Sequence, residues 1–296
     1  MRLSATLPDK LANSLAVITA ILTTLLAEIS SSQALEVQVE PKNPRLGDTL
    51  SVVVKLDRGE TSNLPTVKLK NQTYKTFTIG SDRYRVLLPT TPLDKPGNWS
   101  MEVKNEGEVK KLTVKVANRT FPLQRINLPP GKAGASATPK ERAAVKAFKE
   151  LVTPEQFWNG AFIKPNRGRI SSVFGVRRYY NGKFAQDYYH RGVDYAGGLG
   201  SPVVAPAAGK VVLVGKEAQG FRVHGNVVGV DHGQGVVSIF MHLNSIKVKE
   251  GDFVKPGEII GTIGSTGAAT GPHLHWGLYV QGQSIDPASW RDRGWE

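Results

Sequence analysis

The first clear signal along the chain is an alternation of apolar and polar residues between positions 36 and 120. Short alternating runs recur there, namely LEVQVE, TLSVVVKL, TVKLK, YRVLL, SMEVK and KKLTVKVA. Turn sequences such as RLGD, DKPGN and KNEGE separate them at fairly regular spacing. Regularly spaced short strands of period two are typical of a β-sandwich. We therefore predict a β-sandwich-like domain over residues 35–120, which serves either as a binding module or as a scaffold or spacer.

The pattern changes over residues 121–162, which we predict to be a linker with short helices. Residues 121–137 are rich in Pro, Gly and Ala, as linkers often are. A helix start follows, with an N-cap, a proline at the first helical position and a capping-box acid: Thr138, Pro139 and Glu141. The spacing predicts a helix with one apolar face formed by Val145, Phe148 and Val152. A second short helix is expected from Thr153 towards Trp158.

From residue 163 onwards the chain returns to short β-prone runs, which are now bounded by glycine. Examples are RISSVFG, GKVVLVG, GNVVGVDHG, GVVSIFMHL and GEIIGTIG. Such runs favour strands joined by tight turns over long helices. We predict a compact antiparallel β domain over residues 163–296, which makes the fold class of the whole chain mainly β.

Residues 1–34 have the features of a signal peptide. A positively charged start precedes an uncharged, mostly apolar stretch at positions 11–27, and Ser32 and Ala34 are small residues suited to a cleavage site. The alternatives are an uncleaved membrane anchor, which needs about 20 predominantly apolar residues, and a buried helix. A cleaved or anchored segment places the rest of the chain outside the cytoplasm. We expect a protein of the periplasm or cell envelope, without a stable membrane span after cleavage.

The amino-acid composition excludes several kinds of site and partner. The chain has no cysteine, which excludes disulfides, a thiol nucleophile, cysteine-ligated zinc and lipid attachment at a cleavage-site cysteine. Its net charge is +13, but the sequence has no Arg/Lys block and no nucleic-acid-binding motif, so we predict no nucleic-acid partner. An exported basic protein is expected to meet an anionic wall polymer or membrane surface, unless the charge only keeps it soluble.

Two histidines stand two positions apart in the segment TGPHLHWGLYV. In a strand, His273 and His275 would project from the same face. His190 and Asp194 of HRGVDYAG, together with His242 of FMHL, complete a set that could bind a metal and move protons. Spacing alone allows His190, Asp194 and either histidine of the pair as zinc ligands, with water at a fourth position. The other histidine, with His242 as its partner, could exchange a proton or stabilise an oxyanion.

These motifs resemble the signature blocks of peptidase family M23, the LytM- and lysostaphin-like zinc metallopeptidases. HRGVD, MHL and TGPHLHWGLYV carry the resemblance, which extends over about residues 163–290 through GSPVVAPAAGKVVLVG and VKEGDFVKPGEIIGTIGSTG. The resemblance implies that Zn²⁺ is bound by His190, Asp194 and His275. It also implies that His242 and His273 are the catalytic histidines. The activity implied is metal-assisted hydrolysis of peptide cross-links in bacterial peptidoglycan.

For several residues near these motifs the sequence leaves two roles open. Tyr188 and Tyr189 either donate a hydrogen bond to the oxyanion or pack in the wall of the cleft. Arg178 either binds a substrate carboxylate or lies at the surface. We predict His224 and His232 to be surface or turn residues.

Other functions remain as alternatives. A non-catalytic LytM-type regulator could bind the wall on the same fold, although such relatives usually lack some of the metal ligands that are present here. The N-terminal domain could bind a regulatory protein, or the segment before the peptidase domain could hold the enzyme latent. A carrier domain is suggested by VKEGDFVKPGEIIGTIG, which nevertheless lacks the Met-Lys or Asp-Lys tip that attachment requires. Within the peptidase hypothesis, we favour a direct cross-link near a D-amino acid over a glycine bridge.

Overall fold

The alternating segments near the N-terminus form two antiparallel sheets of four strands each. Their strands are β1 (Glu36–Glu40), β2 (Thr49–Lys55), β3 (Thr66–Leu69), β4 (Gln72–Lys75), β5 (Phe77–Thr78), β6 (Arg83–Pro89), β7 (Gly97–Asn105) and β8 (Glu108–Val116). The orders are β1-β2-β6-β5 and β4-β3-β7-β8. Apolar residues from both sheets, such as Leu50, Val86 and Met101, share one buried cluster. This is the sandwich arrangement that the alternation predicts.

The computed structural model describes residues 35–56, 63–127 and 136–295. The predicted signal peptide at residues 1–34 and part of the predicted linker lie outside the described residues. Among the residues described, no helix is both long enough and apolar enough to cross a membrane. The domain boundaries at residues 120 and 162 stay predictions.

The predicted linker is more ordered at its start than we expected. β9 (Leu123–Ile126) pairs in parallel with β11 (Arg177–Tyr180), and β12 (Lys183–Phe184) completes this three-stranded sheet. Leu123–Ile126 is therefore a strand, and the assignment of residues 121–162 as a linker stays a prediction. The cause of the strand is a long-range pairing, which the local Pro- and Gly-rich composition does not reveal.

The helix that follows forms as predicted, whereas the second one does not. α1 (Pro139–Lys149) starts at the N-cap Thr138 with a complete capping box. Val145 and Phe148 are buried, while Val152 lies beyond the helix end and is 49% exposed. The expected second helix from Thr153 is absent; that segment is extended and forms an isolated bridge at Gln156.

The C-terminal part is built on one ten-stranded sheet in which every pairing is antiparallel. Its strands are β10 (Arg169–Ser172), β13 (Val193–Ala196), β14 (Pro202–Val204), β15 (Gly209–Gly215), β16 (Asn226–Gly233), β17 (Val236–Ile246), β18 (Phe253–Val254), β19 (Ile259–Ile263), β20 (Leu274–Val280) and β21 (Gln283–Ile285). The central order is β10-β13-β20-β17-β16-β15-β18, with β14, β19 and β21 attached beside it. A short 3-10 helix (Glu217–Gln219) and α2 (Ala288–Asp292) complete this part. The mainly β, antiparallel fold class is confirmed.

The sandwich packs directly against the C-terminal sheet. Arg85 on β6 is 1% exposed and donates a hydrogen bond to the side-chain oxygen of Gln156 at 2.6 Å. Arg119 forms a 2.7 Å salt bridge with Asp286. Leu87 of the sandwich belongs to the main buried cluster of the C-terminal part. The two parts thus share buried polar and apolar contacts.

Candidate metal centre and active site

The pairing of β13 with β20 brings three potential metal ligands together. Asp194 lies directly opposite His275 in this antiparallel register, so their side chains share a face. His190 lies in the loop just before β13. Asp194 Oδ1 is 2.9 Å from His275 Nδ1 and 3.1 Å from His190 Nε2, and the two nitrogens are 3.1 Å apart. These three residues form the one group with metal-ligand geometry among the described residues.

Hydrogen bonding at the far side of the His190 ring indicates what this centre can bind. His190 Nδ1 is 2.8 Å from the Val173 carbonyl oxygen, which can only accept a hydrogen bond, so Nδ1 carries the proton. In the neutral ring Nε2 then carries a lone pair, and it faces the Asp194 oxygen, which is also an acceptor. Two acceptors at this distance repel each other unless a proton or a cation lies between them. The arrangement therefore fits a bound cation.

The electrostatics of Asp194 agree with this arrangement. Burial disfavours the carboxylate, but the interactions with the His190 and His275 rings outweigh burial and hold the pKa of Asp194 well below its usual range. Burial lowers the pKa of His275, against the opposing effect of Asp194. Asp194 is therefore ionised and His275 is neutral at pH 7, which are the states in which both can bind a metal.

His242 lies beside this centre because of an irregularity in β17. Asn226 pairs with Leu243 while Val228 pairs with Phe240, so β17 carries one extra residue at this point, and His242 has φ +63°. A bulge of this kind changes the direction of a side chain and is frequent next to active sites. The His242 ring centroid lies 6.4 Å from that of His275.

His273 completes a row of imidazoles. It precedes β20, forms a bridge with Gly264, and its ring centroid lies 4.8 Å from that of His242. His242 Nδ1–H donates to the Thr266 carbonyl and His273 Nδ1–H to the Gly271 carbonyl, both at 2.8 Å. Each neutral ring therefore keeps a lone pair on Nε2. The structure thus brings all five predicted site residues together, in two groups with different hydrogen-bonding patterns.

The environment of His242 favours its neutral form. Burial, helped by the nearby His275 and His273 rings, lowers the pKa of His242 to about 3. The ring is therefore neutral at pH 7, and its lone pair is on Nε2 because the proton on Nδ1 is donated to the Thr266 carbonyl.

The structure places the three neighbouring residues for which the sequence left two roles open. Tyr189 is 3% exposed and its hydroxyl accepts a hydrogen bond from Ser284 Oγ at 2.8 Å, which agrees with packing. Tyr188 accepts from Arg178 at 2.7 Å, and Arg178 also donates to Tyr180 at 3.3 Å. Arg178 is thus a half-buried residue in a polar cluster, and both predictions for it, a substrate contact and a surface role, stay open.

The other two histidines are more buried than predicted. His232 was expected at the surface or in a turn but lies in β16 with 0% exposure, where it contacts the Ala208 carbonyl and Ser238 Oγ. That prediction was wrong because β16 continues to Gly233, so that the turn in DHGQG is formed by Gln234 and Gly235. His224 does lie in a turn, but its ring is held by Glu141 at 2.6 Å.

The structure adds supporting groups that the sequence could not indicate. The acceptors that fix the three rings are the backbone carbonyls of Val173, Thr266 and Gly271, which any residue type supplies. Gly192 does have a sequence signal, since it stands inside HRGVD. A Cβ atom there would lie 2.4 Å from the Trp276 carbonyl oxygen and 2.7 Å from His275 Nε2. The glycine therefore makes room for the His275 ring.

We expect Gly192→Ala to displace the His275 ring and to weaken Zn²⁺ binding roughly 10- to 100-fold, as is typical when support for a ligand is lost. A titration against a competing chelator measures this. Gly198→Ala is the matched control, since a Cβ there meets nothing within 4 Å. Equal Zn²⁺ affinities for the two variants would contradict this role of Gly192.

Comparisons with known proteins agree with this geometry. The family model "Peptidase family M23" matches residues 188–287. The DD-carboxypeptidase/endopeptidase Mpg of Neisseria meningitidis is 39% identical over 122 residues, which are 41% of this chain and 26% of that protein. The peptidoglycan DD-endopeptidase ShyC of Vibrio cholerae is 37% identical over 119 residues, which are 40% and 26%. The chain thus spans about a quarter of the length of these curated relatives.

A solved structure extends the similarity beyond the matched segment. A Pseudomonas aeruginosa protein assigned to peptidase M23 is 29% identical, with a TM-score of 0.62, over 83% of this chain and 94% of that one. The family match includes all five site residues. Residues 188–287 are therefore similar to peptidase family M23.

Proposed function

We propose that this protein is a zinc-dependent endopeptidase that hydrolyses peptide cross-links of peptidoglycan. The observation that carries the proposal is the grouping of His190, Asp194 and His275 as ligands, with the His242 and His273 rings beside them. A three-ligand centre leaves a coordination position for water or substrate, as catalytic zinc sites require. Relatives named as DD-endopeptidases support the substrate class.

The residues present fit zinc. Two imidazole nitrogens and one carboxylate oxygen are an ordinary zinc donor set, and M23 is a family of metallopeptidases. The facing lone pairs of His190 and Asp194 need a cation between them. Zinc bound here would supply Lewis-acid activation of water and of the scissile carbonyl group.

The neighbouring His242 and His273 would carry out the proton transfers of the reaction. The Thr266 and Gly271 carbonyls orient the His242 and His273 rings and bind the proton on Nδ1, which leaves Nε2 as the nitrogen that can accept a proton. One ring can accept the proton of the attacking water and later deliver it to the leaving amine. Charge on the tetrahedral intermediate can be stabilised by the second ring once that ring is protonated.

The proposed substrate and location follow from the same comparison. We propose a direct cross-link near a D-amino acid as the bond that is cut, which agrees with relatives named as DD-endopeptidases. Because this polymer lies outside the cytoplasm, we also propose an exported protein of the periplasm or cell envelope.

Substitution of the two histidines of the HLH motif should affect zinc binding and hydrolysis differently. We expect His275→Ala to lose both bound zinc and hydrolysis, because it removes a ligand. His273→Ala should keep about one zinc per chain but lose roughly 100-fold or more in rate, because it removes a proton-transfer group. Elemental analysis and conversion of purified cross-linked muropeptide dimers to monomers measure the two effects on residues 35–296.

Three results would count against this proposal. Loss of zinc in His273→Ala would mean that the ligand roles are exchanged. A zinc-loaded wild-type protein that leaves the dimers intact would contradict the endopeptidase activity. Cleavage of glycine bridges alone would replace the proposed bond.

A further inference from the structure

Glu141 is a buried carboxylate outside the segment that matches the M23 family. It lies in the first turn of α1 with 0% exposure. Its oxygens accept hydrogen bonds from three successive backbone N–H groups, those of Arg222 at 3.0 Å, Val223 at 3.0 Å and His224 at 2.7 Å. The Thr138 N–H contact at 3.2 Å completes the capping box. Helix capping needs only this last contact, so the other three serve the 222–224 turn.

The 222–224 turn leads directly to His242. The His224 carbonyl accepts the His242 backbone N–H at 3.0 Å. The Val223 carbonyl accepts the Ala268 N–H at 3.0 Å, two residues after Thr266, whose carbonyl holds the His242 ring. Both the backbone and the ring of His242 therefore rest on segments that this turn contacts.

His242 needs such support because of its backbone conformation. A non-glycine residue at φ +63° is in a sparsely populated region and persists only where the surrounding structure imposes it. Glu141 is suited to this task, because its hydrogen bonds outweigh the opposing effect of burial and lower its pKa, which keeps the carboxylate ionised. Charged acceptors form stronger hydrogen bonds than neutral ones.

We infer that Glu141 is a positioning residue for His242, acting through the 222–224 turn. The inference rests on the proposed function for its effect on catalysis. Its structural content, that the environment of the His242 ring depends on Glu141, is independent of the function. α1 would then belong to the catalytic machinery although it precedes the matched domain.

The test compares Glu141→Gln with Glu150→Gln in the zinc-loaded protein. Glu150 follows the same helix, is 54% exposed and forms its ion pair with Lys146.

In Glu141→Gln one oxygen becomes an NH₂ group that faces N–H donors. We expect kcat to fall roughly 10- to 100-fold with KM and zinc content unchanged, since small misplacements have effects of this size. The ring N–H signal of His242 in ¹⁵N NMR, assigned by its loss in His242→Ala, should shift. Glu150→Gln should match wild type in all four readings.

An unchanged kcat and an unchanged His242 signal in Glu141→Gln would overturn the inference. If this variant did not fold, Glu141→Asp, which keeps the charge but shortens the side chain, would serve with the same criteria. If the wild-type protein cut no substrate, the proposed function would fail, and the His242 signal alone would decide on the positioning role.

A second inference rests on the outer face of the β4-β3-β7-β8 sheet. Cross-strand pairing places five exposed lysines on this face, namely Lys68, Lys75, Lys104, Lys111 and Lys115. Glu102 is the one acidic residue among their paired neighbours. A hydrogen bond from Lys104 and the charges of Lys111 and Lys68 lower the pKa of Glu102. The face is therefore strongly basic.

A groove of about 390 Å³ opens on the same face. Its lining supplies ammonium, amide and hydroxyl groups from Lys68, Lys70, Asn71, Asn98 and Ser100, beside Trp99 and one carboxylate, that of Glu102. Ammonium groups match the carboxylates of a wall polymer, and amides and hydroxyls match its sugars and peptides. We propose that this basic face binds the carboxylate-bearing peptidoglycan polymer and holds the enzyme on its proposed substrate.

Co-sedimentation with purified sacculi tests this second inference without any need for hydrolysis. The triple variant Lys68→Gln, Lys104→Gln, Lys111→Gln should bind roughly tenfold more weakly and depend less on salt. The control with the same charge change is Lys210→Gln, Lys249→Gln, Lys255→Gln in the C-terminal part. Equal binding by the two triple variants would overturn the proposal, as would wild-type binding to anionic phosphatidylglycerol vesicles but not to sacculi.

Discussion

The site depends above all on the register between β13 and β20. This pairing sets Asp194 directly opposite His275, and the neighbouring pairing with β17 sets Met241 opposite His275 on its other side. Because side chains alternate along a strand, a shift of one residue would turn His275 to the opposite face and separate it from Asp194. The fully buried Leu274, Trp276 and Leu278 make such a shift costly. The same packing that stabilises the sheet therefore also keeps the two ligands together.

Backbone carbonyl groups fix three of the four imidazoles in the same way. The Val173 carbonyl holds Nδ1 of His190, which leaves Nε2 towards Asp194. Thr266 and Gly271 do the same for His242 and His273. Main-chain geometry thus sets the orientation and tautomer of these three rings. His190 and His275 differ from His242 and His273 in their contacts with Asp194, and the proposed roles rest on this difference.

The elements that could be predicted from the sequence are those whose signals are local. Period-two alternation indicated the sandwich, and the capping box at Thr138 and Glu141 indicated α1. The resemblance of the sequence motifs to those of family M23 indicated the five site residues. Features that depend on distant pairing were missed: the β9 strand, the burial of His232 and the supporting contacts of Glu141. The capping box indicates only the contact of Glu141 with Thr138, because the other partners of Glu141 lie some eighty residues away along the chain.

The proposed metal centre holds one ion between two imidazoles and one carboxylate. Anomalous diffraction at the zinc edge from crystals of the zinc-loaded protein tests this arrangement. We expect a single strong peak between His190 Nε2, Asp194 Oδ1 and His275 Nδ1, with His242 and His273 outside the coordination shell. A peak ligated by His242 or His273, or no peak among the three predicted atoms, would contradict the proposed centre.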